Sequence, residues 1–98
     1  MYKLVIRQRA TNDTQDAYQW YEEQKIGLGD LFIQEIRDSY AKLETHPVAY
    51  HKVEYEFRQF NMKKFPYVIV YDIDDTNKLV IVYTIFHNKR NPKSKFKL

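Results

Sequence analysis

Residues 83–92, YTIFHNKRNP, pass within a few positions from strand-forming residues to His87, Lys89 and Arg90. An imidazole can move a proton near neutral pH. A guanidinium can grip phosphate or carboxylate through two parallel N–H bonds, and an ammonium can act only as a point charge. The cluster therefore suits four roles: gripping nucleic acid, catalysis, holding a protein partner, or solvating a strand edge. The bland readings stand equally open: His87 at a strand end donates to a backbone carbonyl, and Arg90 is a charged cap against unwanted strand pairing. His46 and His51 flank a turn with no third ligand in view, so no metal site is read there. No cofactor is expected.

The elements that must position this cluster follow from periodicity. YKLVIRQRA alternates as a strand ending at Ala10, with Leu4 and Ile6 on one face. Thr11, Asn12 and Asp13 are N-cap candidates for a helix over about residues 13–25, with Ala17, Trp20, Tyr21 and Gln24 along one stripe. Gly27 and Gly29 break that helix, and a second follows at once. Its stripe is Leu28, Leu31, Phe32, Glu35, Ile36, Ser39, Tyr40 and Leu43. Pro47 ends it, because the residue before a proline is pushed out of helical geometry. Two helices joined by so short a turn form a hairpin.

Beyond Pro47 the period changes to two. VEYEFRQF reads as a strand with Val53, Tyr55, Phe57 and Gln59 opposed to Glu54, Glu56, Arg58 and Phe60. FPYVIVYDI and KLVIVYTIF read as central strands joined by a hairpin turn over residues 74–77, where Asp75 or Asn77 would take positive φ. The expected fold is α+β: a strand, an antiparallel helical hairpin, then a three-stranded antiparallel meander forming a curved sheet with helices on one face.

Composition bounds the function. The 98 residues make one domain, 1–98, with 44% apolar and 16% aromatic residues, enough for a single core. No cysteine is present, which excludes disulfides, thiolate zinc sites and a cysteine nucleophile. With no apolar run long enough for a membrane and no signal-like segment at the start, a soluble cytoplasmic protein is expected. Net charge is +3, but six Lys/Arg stand against eight Asp/Glu in residues 1–49, and ten against five in residues 50–98. From Thr76 onward there is no acid at all. The second half thus suits an anionic partner, or else a solvated basic tail.

WYEEQKIGLGDLFIQEI, Pro47, Arg58, KKFPYVIVYDI and IFHNKRNP, taken in this order, resemble the RelE/ParE superfamily of type II toxin–antitoxin toxins over nearly the whole chain. The resemblance implies a cognate antitoxin that wraps the domain, forming a hetero-oligomer, and a role in growth inhibition or plasmid stabilization. It leaves two targets. A RelE-like mRNA interferase would cut messages on the ribosome, with His87, Arg58, Arg90 and Tyr67 as catalytic groups; attack by a ribose 2′-hydroxyl needs proton transfer and charge stabilisation on the phosphorane. A ParE-like toxin would inhibit DNA gyrase and need no catalytic set, with Arg58, Lys63, Lys64, His87, Lys89 and Arg90 as the target-binding surface. Nucleases of the superfamily commonly carry a tyrosine after the histidine or at the extreme C-terminus. Here Asn88 follows His87, and the last aromatic, Phe96, lacks a hydroxyl. His87, Arg90 and Pro92 match the HxxRxP pattern of ParE-like sequences, so that branch is favoured. An inactive, toxin-derived binding module is the third reading. A groove beside Trp20, Tyr21 and Phe32 is the expected antitoxin dock, although Trp20 and Tyr21 also suit the core. Arg58 has its own bland reading, pairing with Glu54 or Glu56 along its strand.

Overall fold

The computed structural model describes residues 1–89. Its elements run β1 (Lys3–Ile6), α1 (Gln8–Gln24), α2 (Leu28–Thr45), a 3₁₀ turn (Pro47–Ala49), β2 (Lys52–Glu54), β3 (Phe57–Asn61), β4 (Tyr67–Asp74) and β5 (Leu79–His87). The sheet order is β1-β5-β4-β3-β2. β2 to β5 form an antiparallel meander, and β1 adds to β5 in parallel, so the sheet is mixed. Among the described residues no helix is long and apolar enough to cross a membrane.

β1 is shorter than alternation suggests, because α1 begins at Gln8 rather than near residue 13. The Arg7 N–H completes the ladder with Val82 O at 2.9 Å, and the Arg7 carbonyl already accepts the first helical bond, from Thr11 N–H at 3.1 Å. Arg7 is the N-cap and makes no side-chain cap bond, so none of Thr11, Asn12 and Asp13 caps the helix. Ala10, expected at the end of the strand, is instead fully buried in the first helical turn. A run such as QRATNDT carries cap-forming residues without ending a helix, because early burial of Ala10 outweighs local preference.

The helical hairpin is set by Glu22. Its Oε1 accepts the N–H groups of Gly27 at 2.9 Å and Gly29 at 2.8 Å, satisfying donors that the start of α2 would otherwise leave open. Gly27 needs its glycine for φ 93°. Gly29 needs it for space: a Cβ there would lie 2.7 Å from Glu22 Cγ and 2.8 Å from the Tyr18 carbonyl oxygen.

One face of the sheet packs on the helices. Ala17 and Tyr21 of α1 and Phe32, Ile36 and Leu43 of α2 meet Phe60, Ile69, Tyr71, Val80, Val82 and Ile85. Leu31, placed on the apolar stripe of α2, is 62% exposed. The opposite face carries a smaller cluster of Val68, Val70 and Phe86 with Phe57 against it.

VEYEFRQF is two strands, not one. The chain reverses at Tyr55, whose φ of 53° is left-handed, and Lys52 pairs with Glu56 across the turn at 2.8 Å. Alternation runs on through the reversal, and no glycine, proline or asparagine marks it. In the β4–β5 turn the positive φ falls on Lys78, not on Asp75 or Asn77. Asn77 is held instead by its N–H and side-chain amide donating to Asp74 at 3.1 and 2.9 Å.

Candidate target-facing corner

His87 ends β5 opposite Tyr67, the first residue of β4, and the two rings stack edge-on with centroids 5.4 Å apart. A bulge puts it there. Val70 pairs with Thr84 but Tyr71 pairs with Val82, so Tyr83 is the extra residue. Before the bulge the even-numbered Val80 and Val82 face the helices; after it Ile85 does, while Phe86 joins the opposite cluster. The shift of phase turns His87 to the side of Tyr67 and α1.

Asp13 sits against this bulge. β1 pairs with β5 only as far as Val82. Beyond that point Asp13 Oδ2 accepts the Thr84 hydroxyl at 2.7 Å and the Ile85 N–H at 3.1 Å. A residue expected to cap its own helix instead supplies an acceptor to the strand edge. The Nδ1 of His87 accepts the Lys89 N–H at 3.1 Å, an arrangement in which the ring proton is on Nε2. A cavity of about 360 Å³ opens here, lined by Asp13, Asp16, Trp20, Tyr67 and His87 among others.

Lys63 and Lys64 lie on the connection between β3 and β4, at the same end of the sheet, and are exposed. The Asn88 N–H donates to Pro66 O at 2.9 Å and so ties the segment carrying Lys89 to that connection. Arg58 is elsewhere. It pairs with Tyr71 while His87 pairs with Tyr67, which places the two Cα atoms roughly 16 Å apart, four residues along the strands and two strand spacings across. Its Nη1 donates to Tyr50 O at 2.6 Å and Val48 O at 3.3 Å, so its head secures the link from α2 to β2. Tyr71 adds its hydroxyl to the Pro47 carbonyl at 2.5 Å, and burial pushes its pKa up despite the nearby Arg58. Arg90 and Pro92 lie outside the described residues, as does Phe96.

Tyr21 and Phe32 are buried, with ring centroids 5.4 Å apart, and both touch Phe65 and Tyr67. Trp20, 43% exposed, packs edge-on to Tyr21 and alone of the three offers much surface. On the other side of the hairpin an apolar groove of about 490 Å³ is lined by Ile6, Tyr18, Ile33, Ile36 and Tyr40. Burial raises the pKa of Tyr40 to about 12.

Two positions of this architecture escaped reading by residue type: Asp13, and Glu35, whose carboxylate accepts the N–H groups of Lys63, Lys64 and Phe65. Glu35 carried a usable signal, because a carboxylate on the apolar stripe of a helix must find donors or stay in water.

A strand, a helical hairpin and an antiparallel meander closed by a parallel first strand define an α+β toxin-like fold. The family model of the ParE toxin of type II toxin–antitoxin system, parDE, matches residues 4–92, and the chain belongs to that family. Among curated proteins none matches. Among solved structures, the chain is similar to one from the chromosomal ParDE system of P. aeruginosa. The TM-score is 0.78 at 15% identity, covering 89% of this chain and 96% of that one. It is also similar to a chain of the intact E. coli RelBE toxin–antitoxin complex, with a TM-score of 0.70 at 16% identity, covering 92% and 100%. A chain of the RelBE2 complex from Mycobacterium tuberculosis gives 0.62 at 14%, covering 88% and 96%.

Proposed function

We propose that this chain is the toxin of a type II toxin–antitoxin module and acts in the cytoplasm by docking on DNA gyrase, without cutting RNA. The observation that carries the reading is the separation of Arg58 from His87. A phosphorane is stabilised most specifically by a guanidinium held against the reacting phosphate, a bidentate geometry that the ammonium groups of Lys63, Lys64 and Lys89 near His87 do not copy, and among the described residues Arg58 is the arginine expected in that role. The guanidinium of Arg58 is directed to two backbone carbonyls at the other end of the sheet. The residues that do gather beside His87 include Asp13 and Asp16, which repel a polyanion. A docking surface needs no acid–base set, and His87, Lys63, Lys64 and Lys89 share one corner.

The antitoxin, by the same reading, covers the hairpin side, where Trp20 and the groove near Tyr18 and Ile33 present apolar surface. In cells induced for this chain without its antitoxin, thymidine incorporation should fall before methionine incorporation. The reverse order would favour the ribosome-dependent ribonuclease, for which the stacked His87 and Tyr67 are the available acid–base pair, and primer extension on transcripts would then show discrete new 5′ ends.

A further inference from the structure

Between β3 and β4, three consecutive backbone N–H groups converge on one carboxylate. The Lys63 N–H donates to Glu35 Oε2 at 2.7 Å, the Lys64 N–H to both oxygens at 3.1 and 3.0 Å, and the Phe65 N–H to Oε1 at 2.9 Å. Successive amides turned inward in this way form a concavity that binds anions. Here the anion belongs to the chain itself and comes from the middle of α2.

Two consequences follow from the occupied concavity. The three N–H groups are taken, so an external phosphate cannot use them. The backbone of residues 63–65 is also fixed, which presents the exposed Lys63 and Lys64 side by side, at the same end as Lys89. The neighbouring rings of Phe65 and Tyr67 are buried. Proteins that read nucleic acid combine backbone N–H contacts to phosphate with exposed rings for the bases. Among the described residues this corner offers the ammonium groups of Lys63, Lys64 and Lys89 on flexible stems, while Trp20, 43% exposed, lines the cavity beside His87. With the amides occupied, such point charges complement carboxylates spread over an acidic protein surface.

We propose that Glu35 is a positioning residue, which holds residues 62–66 as a lysine-presenting corner for an acidic protein surface. The proposal rests on the reading of this end as the target-facing one and names the chemistry of the surface it meets.

The sign of one substitution tests it. Glu35→Gln removes a negative charge beside two lysines, so by charge alone it would tighten binding of an acidic polymer. If Glu35 acts by holding the amides, the carboxamide, whose NH₂ end cannot accept a hydrogen bond, loosens the connection and binding weakens. The probe is poly-L-glutamate titrated into the full chain at low salt by calorimetry. Lys63→Ala/Lys64→Ala should raise Kd about tenfold and Glu35→Gln about threefold. Amide hydrogen exchange at residues 63–65 should accelerate in Glu35→Gln while exchange in the β4–β5 core stays as in the parent chain.

Equal or tighter binding by Glu35→Gln, or no loss in the double lysine variant, would overturn the proposal. Should Glu35→Gln not fold, Glu35→Asp takes its place: the shorter carboxylate cannot reach all three amides, and the same weakening is required. A chain that behaves this way with polyglutamate but leaves DNA synthesis untouched would remove gyrase as the target and leave the corner standing.

Discussion

The two ends of the sheet use their charged and polar side chains in opposite ways. At one end Arg58 and Tyr71 turn inward and donate to the carbonyls of Val48, Tyr50 and Pro47, stitching the segment after α2 to the sheet. At the other end the inward-turned groups are the carboxylates of Asp13 and Glu35, which hold backbone N–H groups and leave Lys63, Lys64 and Lys89 exposed. The first end uses its cation for internal structure. The second uses anions for internal structure and keeps its cations for the outside. A residue's charge alone does not tell which role it has; the accounting of backbone donors and acceptors does.

This contrast predicts where substitution costs stability and where it costs function. Arg58→Ala leaves the partly buried Tyr50 carbonyl and the exposed Val48 carbonyl without a charged donor and should cost about 2–3 kcal/mol. Chemical denaturation would measure that loss, and growth arrest should persist once folded protein is matched. Arrest lost at full stability would instead place Arg58 in the target surface.

Alkali should attack next. The folded chain holds the Tyr40 phenol proton more tightly than the unfolded chain does, up to a pKa of about 12 against an ordinary 10.0. The resulting stability is complete below pH 10 and is lost as pH rises from there through about 12, a loss of about 2 kcal/mol. Tyr71, also raised by burial, adds to the loss in the same direction. Denaturation midpoints between pH 9 and pH 12 should fall less steeply in Tyr40→Phe.

At the open end, Asp13→Ala strips the acceptor from Thr84 and Ile85 and should cost about 1–2 kcal/mol. Because Asp13 secures the bulge that orients His87, the ring signals of His87 in NMR spectra should shift as well; an unchanged His87 would mean that the bulge stands without Asp13. The smallest stability effect is expected for His87→Ala, about 1 kcal/mol or less for the loss of the Tyr67 contact. Its consequence should appear in growth arrest instead.

Much of this fold was legible from periodicity. The apolar stripe of α2, Pro47 as its stop and the β4–β5 hairpin are strong repeats bounded by strong breakers, and they fix the architecture. What stayed hidden has a common physical origin. The reversal at Tyr55 and the bulge at Tyr83 are backbone events without a residue type to announce them, yet the bulge decides which face His87 occupies. Arg58 is the instructive case for the site. A lone arginine among glutamates reads as a surface cation, whereas its acceptors are main-chain carbonyls contributed by Val48 and Tyr50, and carbonyls leave no mark in a sequence. Glu35 is the converse, a charge on an apolar stripe whose donors are equally unmarked.

The most direct measurement is DNA supercoiling by purified gyrase, titrated with this chain and with His87→Ala, Lys63→Ala/Lys64→Ala and Arg58→Ala. Inhibition is expected from the parent chain and from folded Arg58→Ala, with loss of inhibition in the other two. Full gyrase activity at every concentration of the parent chain, together with cleaved messages on purified ribosomes, would contradict it.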